Sequence, residues 1–416
     1  MEIGIIGTGD MGKKLARESA VLGYRVNCTD RLEKIEGLRK ELVHPGIYVL
    51  DDGHAVSRRS DITFYLVETE NIERVVAQYG RSTKKDAIVS SGTSVMGPAV
   101  AAFDKYLDPD VNIINWHWLF GPSVNPQGQI TAMVNNRNTD SAYLMAKEIF
   151  ESFKTKIVEL PSYQIHDKIT ADTQAVTHVG LESMGTAWKN AGTYPWENSA
   201  YVGGIDNVKI LLCLRLYSGK SHVYSGLAIQ NPYAREEIMQ YAQSESGLFK
   251  LMIQEKEHEF RSRIERAGDS VFKNGNSQIL LDDKIMSEFS LGLSNDRKPN
   301  SHLSLLSMVD SWYKLGINPY ENMICQTPLF RLRLGIVECL FRNPDLLEES
   351  IKAALFDKSI RGDDLEFHTA VREWSTVIGH GDVAGYKTKF EDTRRFFEPR
   401  LEEGKKKSDG LISMLS

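Results

Sequence analysis

Residues 3–12 read IGIIGTGDMG, a short apolar run that gives way at once to Gly7-Thr8-Gly9-Asp10-Met11-Gly12. A helical pattern follows through Lys13–Leu22, with Leu15, Ala16, Ser19 and Ala20 recurring on one face, and Gly23 stops it. Tyr24–Thr29 is apolar and β-branched enough for a second strand, closed by Asp30. Strand, Gly-x-Gly-x-x-Gly, helix, strand, acid is the order a dinucleotide-binding unit demands. Gly7 permits the tight turn, Gly9 lets the backbone approach a pyrophosphate, and Gly12 lets helix and strand pack closely. Phosphates then face free amides at the positive end of the helix. The expected cofactor contacts are Gly7, Thr8, Gly9, Asp10, Met11 and Gly12, with Asp30 and Arg31 at the second strand's end. Asp30 suits the ribose hydroxyls of NAD, whereas Arg31 can pair with the extra phosphate of NADP. These residues alone leave that choice open.

Beyond this turn the alternation continues. Ile62–Val67, Ala87–Ser91, Val111–Trp116 and Ile130–Val134 read as strands, then a helix at about Thr139–Phe153 and a strand at Lys156–Leu160. This predicts a doubly wound α/β Rossmann domain over residues 1–162. Ligands gather beyond the carboxyl ends of such strands, where Gly92-Thr93-Ser94-Val95 and His117-Trp118-Leu119-Phe120-Gly121 are expected as loops. His117 directly ends an apolar strand. It can take a proton from a hydroxyl while hydride leaves the substrate, or simply cap the strand between two tryptophans. Ser94 can bond that histidine or the substrate, or act as a helix N-cap.

The 416 residues exceed what one core supports, so two or three domains are expected. Their net charge of −6 gives no reason to expect nucleic acid or an anionic membrane as partner. No apolar run approaches a membrane span, and no signal peptide is read at the N-terminus. Cys28, Cys213, Cys325 and Cys339 lack the spacing of a zinc site or disulfide framework, so no metal and a cytoplasmic location are expected.

Downstream, Thr177–Asn198 (THVGLESMGTAWKNAGTYPWEN) is echoed by Ser301–Asn322 (SHLSLLSMVDSWYKLGINPYEN) at an offset of 124 residues (302 minus 178), with nine positions identical. Chance would supply roughly one or two. Asn231-Pro232 recurs as Asn343-Pro344, and HDKI at His166–Ile169 is weakly echoed by DDKI at Asp282–Ile285. An all-α region built from an internal duplication is predicted: copy one over 163–268, copy two over 269–403 with a connector at 269–300, then a polar tail at 404–416 carrying Lys405–Lys407. Ser359–Asp364 reads as a surface loop. Met184/Met308 and Trp188/Trp312 read as core.

Taken together, these motifs resemble the prephenate dehydrogenase family, and within it the fungal, NADP-dependent branch. The matching residues are the Rossmann turn, Gly92-Thr93-Ser94-Val95, His117-x-x-x-Gly121, His166-Asp167 with His178 twelve residues on, and Pro328-Leu329-Phe330-Arg331-Leu332-Arg333-Leu334 before Asn343-Pro344. Two departures stand out: Trp118-Leu119 replaces the family's Pro-Met, and the Ser94 loop is one residue longer. The resemblance implies NADP-dependent oxidative decarboxylation of prephenate to 4-hydroxyphenylpyruvate, with His117 and Ser94 catalytic, and Arg331 and His178 binding substrate. Without it, Arg331 reads as a helix-surface arginine, and His178, kept as His302, as packing. Bacterial members dimerise through the helical domain. Here copy two can stand in for the partner, making a monomer possible, with a homodimer the alternative. Aligning back from Asn231-Pro232 sets Gly219 opposite Arg331, so the arginine motif is intact only in copy two. Competing readings are an arogenate dehydrogenase, a β-hydroxyacid dehydrogenase (Gly185-x-x-x-Lys189 matches its helical motif, but Thr193 stands where Asn belongs) and a non-enzymatic dinucleotide sensor.

Overall fold

The computed structural model describes residues 1–198, 201, 204–272, 286, 298–321 and 327–414. Cys325, Asn322, Asp282–Ile285 and most of the expected connector lie outside these residues. The chain divides into two compact units, Met1–Thr170 and Ala171–Ser416.

In the first unit, β1 (Glu2–Ile6), β2 (Arg25–Thr29), β3 (Ile47–Val49), β4 (Ile62–Tyr65), β5 (Ile88–Ser91), β6 (Asn112–Trp118), β7 (Ile130–Arg137) and β8 (Lys156–Leu160) form one sheet, in the order β3-β2-β1-β4-β5-β6-β7-β8. Strands β1 to β6 pair in parallel, so their carboxyl ends share one edge. The helices are α1 (Asp10–Val21), α2 (Leu32–Glu41), α3 (Gly53–Arg59), α4 (Ile72–Tyr79), α5 (Gly97–Tyr106) and α6 (Asp140–Ser152). Only β7 breaks the pattern, pairing antiparallel with β6. The short Leu119–Gln129 link holds two prolines and two glycines and no helix, too little for a parallel crossover. Ile5 and Ile6 fall in separate apolar clusters, as alternation along a strand buried on both faces requires.

β6 is longer than the sequence predicts. His117 and Trp118 stay paired, to Ala132 and Thr131, so His117 lies within the strand rather than opening a loop. Alternation then sorts the side chains. Trp116 and Trp118 join the cluster with Phe64 and Phe150, Trp116 stacking on Phe150 at 5.6 Å. Asn115 and His117 point to the opposite face.

Helix α7 (Tyr163–Ala191) starts where the sequence places a domain boundary, but the change of unit comes eight residues later, because its first two turns pack with the sheet. The second unit continues with α8 (Gly204–Tyr217), α9 (Ser221–Gln230), α10 (Pro232–Ile253), α11 (Glu257–Phe272), α12 (Leu303–Leu315), α13 (Pro328–Arg342), α14 (Pro344–Phe356), α15 (Arg361–Gly379) and α16 (Val383–Met414). α8 is buried around almost its whole circumference, and α13 and α16 pack on it. Met184, Met308, Trp188 and Trp312 are core residues. The two Asn-Pro pairs do one job: Asn231 and Asn343 cap α10 and α14 with their side chains, and each proline takes the first helical position. Gly192 and Gly316, at φ 68° and 65°, follow α7 and α12 in the left-handed conformation that ends a helix.

Two expectations are corrected. Lys405–Lys407 do not sit on a loose tail: α16 runs through them, and Leu401, Gly404, Ser408 and Leu411 bury one stripe. Gly404 is essential to that fit, since a Cβ there would come within 2.5 Å of Leu214. Ser359–Asp364 is no surface loop either. Arg361 starts α15, and Asp364 is buried with Ser301 Oγ donating to it at 2.5 Å.

Candidate active site

The glycine turn closes β1 as the motif requires. Gly7 has φ 96°, and a Cβ there would meet Leu66 O at 2.5 Å. At Gly12 a Cβ would collide with Gly7 O, whereas at Gly9 nothing lies within 4 Å. The first and last glycines are thus held by packing. The middle one faces open space at the start of α1, where no side chain caps the helix. That cradle fits a pyrophosphate. Thr8 is buried, and its hydroxyl donates to Thr29 O at 2.8 Å, which locks the turn to the end of β2 and leaves only its backbone for a ligand. Asp30 Oδ1 accepts from the Arg31 amide at 2.8 Å and has Lys34 Nζ at 3.4 Å. The Arg31 side chain is two-thirds exposed, beside Glu33 at 3.3 Å.

Along the same sheet edge, the loop after β5 is pinned from below. The Ser91 amide and hydroxyl both donate to Asn115 Oδ1 at 2.8 Å, and Asn115 Nδ2 donates to Asn136. Ser94 is half-buried in that loop. It does not cap α5, because the helix begins three residues later and its N-cap is Met96. The capping falls to Asp167 of α7, whose two carboxylate oxygens accept from the Met96 and Gly97 amides at 2.8 and 2.9 Å.

Asp167 also anchors a chain of side chains. Its Oδ1 lies 2.8 Å from His166 Nδ1, and His166 Nε2 lies 3.0 Å from His117 Nδ1. All three are buried. Burial first, then the neighbouring His166, push the His117 pKa well below the usual histidine value, so the ring is neutral. Its one hydrogen bond among the described residues uses Nδ1.

In the second unit, His178 lies on α7 with its ring edge-on to Tyr224 at 4.9 Å. Burial lowers its pKa to about 3, and Nδ1 has no partner among the described residues. It is a neutral donor or wall, not a cation. Arg331, on α13, is half-buried with Nε unpartnered among the described residues. Arg333, two positions on, is fully buried, its pKa lowered to about 10 by that burial. No grouping of His, Cys, Asp and Glu among the described residues suits a metal ion, and no described helix is long and apolar enough to cross a membrane.

Residues 175–416 match the 6-phosphogluconate dehydrogenase C-terminal domain family, and residues 2–93 match the coenzyme F420-dependent NADP oxidoreductase family. A Schizosaccharomyces pombe protein named probable prephenate dehydrogenase (NADP+) is 45% identical over 420 residues, covering 100% of this chain and 97% of its own. The prephenate dehydrogenase (NADP+) of Saccharomyces cerevisiae is 46% identical, over 96% of this chain and 91% of its own. This chain belongs to the NADP-dependent prephenate dehydrogenase family. Among solved structures, the Aquifex aeolicus prephenate dehydrogenase with hydroxyphenyl propionate and NAD+ aligns at 14% identity and a TM-score of 0.49, covering 63% of this chain and 94% of that one.

For a prephenate dehydrogenase family member, sequence reasoning singles out His117 but not what holds it. His166 and Asp167 stand there only as a motif, their roles hidden by the 49 residues separating the two histidines. Adjacent His and Asp opening a helix are the available signal. Arg333 is likewise passed over as one of several nearby arginines, because periodicity alone does not show that its side of α13 is fully buried.

Proposed function

We infer that this chain is an NADP-dependent prephenate dehydrogenase, converting prephenate to 4-hydroxyphenylpyruvate and carbon dioxide in tyrosine biosynthesis in the cytoplasm. The observation that carries the reading is His117: a buried, neutral imidazole near the carboxyl end of β6, on the sheet edge that also holds the Gly7–Gly12 turn. Bound NADP+ would accept hydride from the ring carbon bearing the hydroxyl. His117 takes that hydroxyl's proton as the carbonyl forms. Loss of carbon dioxide sends the carboxylate bond's electron pair into the ring and onto the oxygen. His117 then returns the proton to the phenolate, and atoms and electrons balance with no other reactant. Aromatisation drives the sequence, so the protein chiefly aligns the partners.

Gly7, Thr8, Gly9, Asp10, Met11 and Gly12 would present the turn to the pyrophosphate, and Arg31 the 2′-phosphate. Ser94 is the natural hydroxyl to steady the substrate, and Arg331 to clamp a carboxylate with its planar fork. His178, neutral, offers an N–H to a second carboxylate. Crossing prephenate and arogenate against NADP and NAD, while following reduced-nicotinamide absorbance, tests the reading. Turnover with prephenate and NADP is expected, and His117→Asn should lower kcat about 10²- to 10⁴-fold. Undiminished turnover in that variant would favour a dinucleotide sensor, and preference for arogenate would reassign the substrate.

The helical unit reads best as a duplication. Extending the 124-residue offset past the matched motif carries Gly204–Tyr217 onto the helix starting at Pro328. Asn207 then faces Arg331 in the alignment, and Lys209 faces Arg333, in place of the Gly219 pairing. In either register copy one lacks the Arg331 cation. One chain therefore carries every group the reaction asks for, which favours a competent monomer over an obligate homodimer.

A further inference from the structure

The chain of bonds Asp167–His166–His117 has a direction. Asp167 accepts two backbone amides from the first turn of α5, where the helix's positive end also favours a negative charge. A carboxylate so placed can only accept from His166, so His166 Nδ1 carries the hydrogen at 2.8 Å. In a neutral imidazole the other nitrogen is then bare. His166 Nε2 must accept, and the hydrogen in the 3.0 Å bond belongs to His117 Nδ1. One ring nitrogen of His117 remains, Nε2, with its lone pair.

We propose that His166 and Asp167 are positioning residues for the reaction: they hold His117 in the single tautomer, Nδ1–H and bare Nε2, that can take the substrate's hydroxyl proton. This rests on the reading of His117 as the base. Without the pair, neutral His117 divides between two tautomers, and in one of them Nε2 bears a hydrogen and takes no proton. The pair has a second role during turnover. When Nε2 gains the proton, His117 becomes a buried cation, and its Nδ1–H bond to His166, backed by the Asp167 carboxylate, stabilises it. The proton goes back to the phenolate oxygen once carbon dioxide has left, so the pair finishes as it began. Because Asp167 also caps α5, the base and the loop bearing Ser94 are fixed by one carboxylate.

Two measurements test this. Nitrogen-15 resonances of labelled histidine in the intact protein, with His117 assigned by its loss in His117→Asn, report the tautomer directly. Protonated Nδ1 and bare Nε2 are expected; the reverse pattern, or an even mixture, overturns the proposal. Kinetics then compare His166→Leu with His166→Gln, whose carbonyl sits near the lost Nε2 and can accept from His117. His166→Leu should lower kcat about 10- to 100-fold at nearly constant KM for prephenate. His166→Gln should recover most of it, at matched melting temperature and NADP affinity. Equal losses in both variants mark a merely structural role. Wild-type kcat in His166→Leu, where His117→Asn is inactive, sinks this proposal alone; an active His117→Asn sinks the reading beneath it.

Discussion

Glu182 on α7 is buried entirely within the helical unit. One carboxylate oxygen accepts from Tyr386, the other has no partner among the described residues, and burial raises the pKa to about 8. The folded protein therefore holds a proton that the unfolded chain, near the ordinary 4.5, releases. Stability from this group is full below about pH 4.5 and is lost as pH climbs through 8. Glu182→Gln keeps the shape without the charge. It should melt like the wild type near pH 5 yet be more stable at about pH 8.5, by on the order of 3–4 kcal/mol at most. Denaturation midpoints at the two pH values check it, and an equal shift at both would refute the titration. Arg31 poses the cofactor question just as locally. Because Lys34 and the Arg31 amide already engage Asp30, that carboxylate is not left alone to repel a phosphate. Arg31→Ala is expected to raise KM for NADP about tenfold and leave that for NAD nearly unchanged, one charge-assisted contact being worth roughly 1.5–3 kcal/mol.

Among the elements, the β1–α1 turn separates two uses of glycine. A Cβ at Gly12 would run into Gly7 O, backbone that cannot swing aside, so Gly12→Ala must push α1 off the sheet. A Cβ at Gly9 meets nothing within 4 Å of protein. Gly9→Ala should therefore leave the melting temperature of the cofactor-free protein unchanged while weakening NADP binding, whereas Gly12→Ala should cost about 1–3 kcal/mol of stability as well. Equal melting losses in both variants would argue against a cofactor-facing Gly9. This turn is legible in the sequence because every determinant is local: apolar run, glycines, amphipathic helix, acid. Other elements depend on partners distant in the chain. β3 is three residues long and can show no alternation. β6 extends through His117 because β7 keeps pairing with it, which no property of residues 112–118 announces. The stripe that orders α16 includes Gly404 and Ser408, small residues that lack a hydrophobic signal; Gly404 matters only because Leu214 lies against it. Asp167 displaces Ser94 as the cap of α5 from 71 residues away.

For the protein entire, the question is whether one chain completes the reaction. A dimer sharing sites across subunits, with His117 from one chain and Arg331 from the other, has a distinctive arithmetic. Co-expressing a His117→Asn chain with an Arg331→Ala chain would let mixed dimers rebuild one intact site from the two undamaged halves. Half the dimers would be mixed, and about a quarter of wild-type activity would return. A chain that serves itself leaves every copy with a defective site, and nothing returns. The duplication favours the second outcome: the arginine motif survives in one copy only, and a chain holding both copies has no need of a neighbour's. Tagging the two chains differently and purifying through both tags isolates any mixed oligomer, so activity can be assigned to it rather than to contamination. No recovered prephenate turnover, in co-expressed material or in any doubly tagged fraction, is the expected result. Recovery near a quarter would show that the helical repeat does not replace a partner subunit.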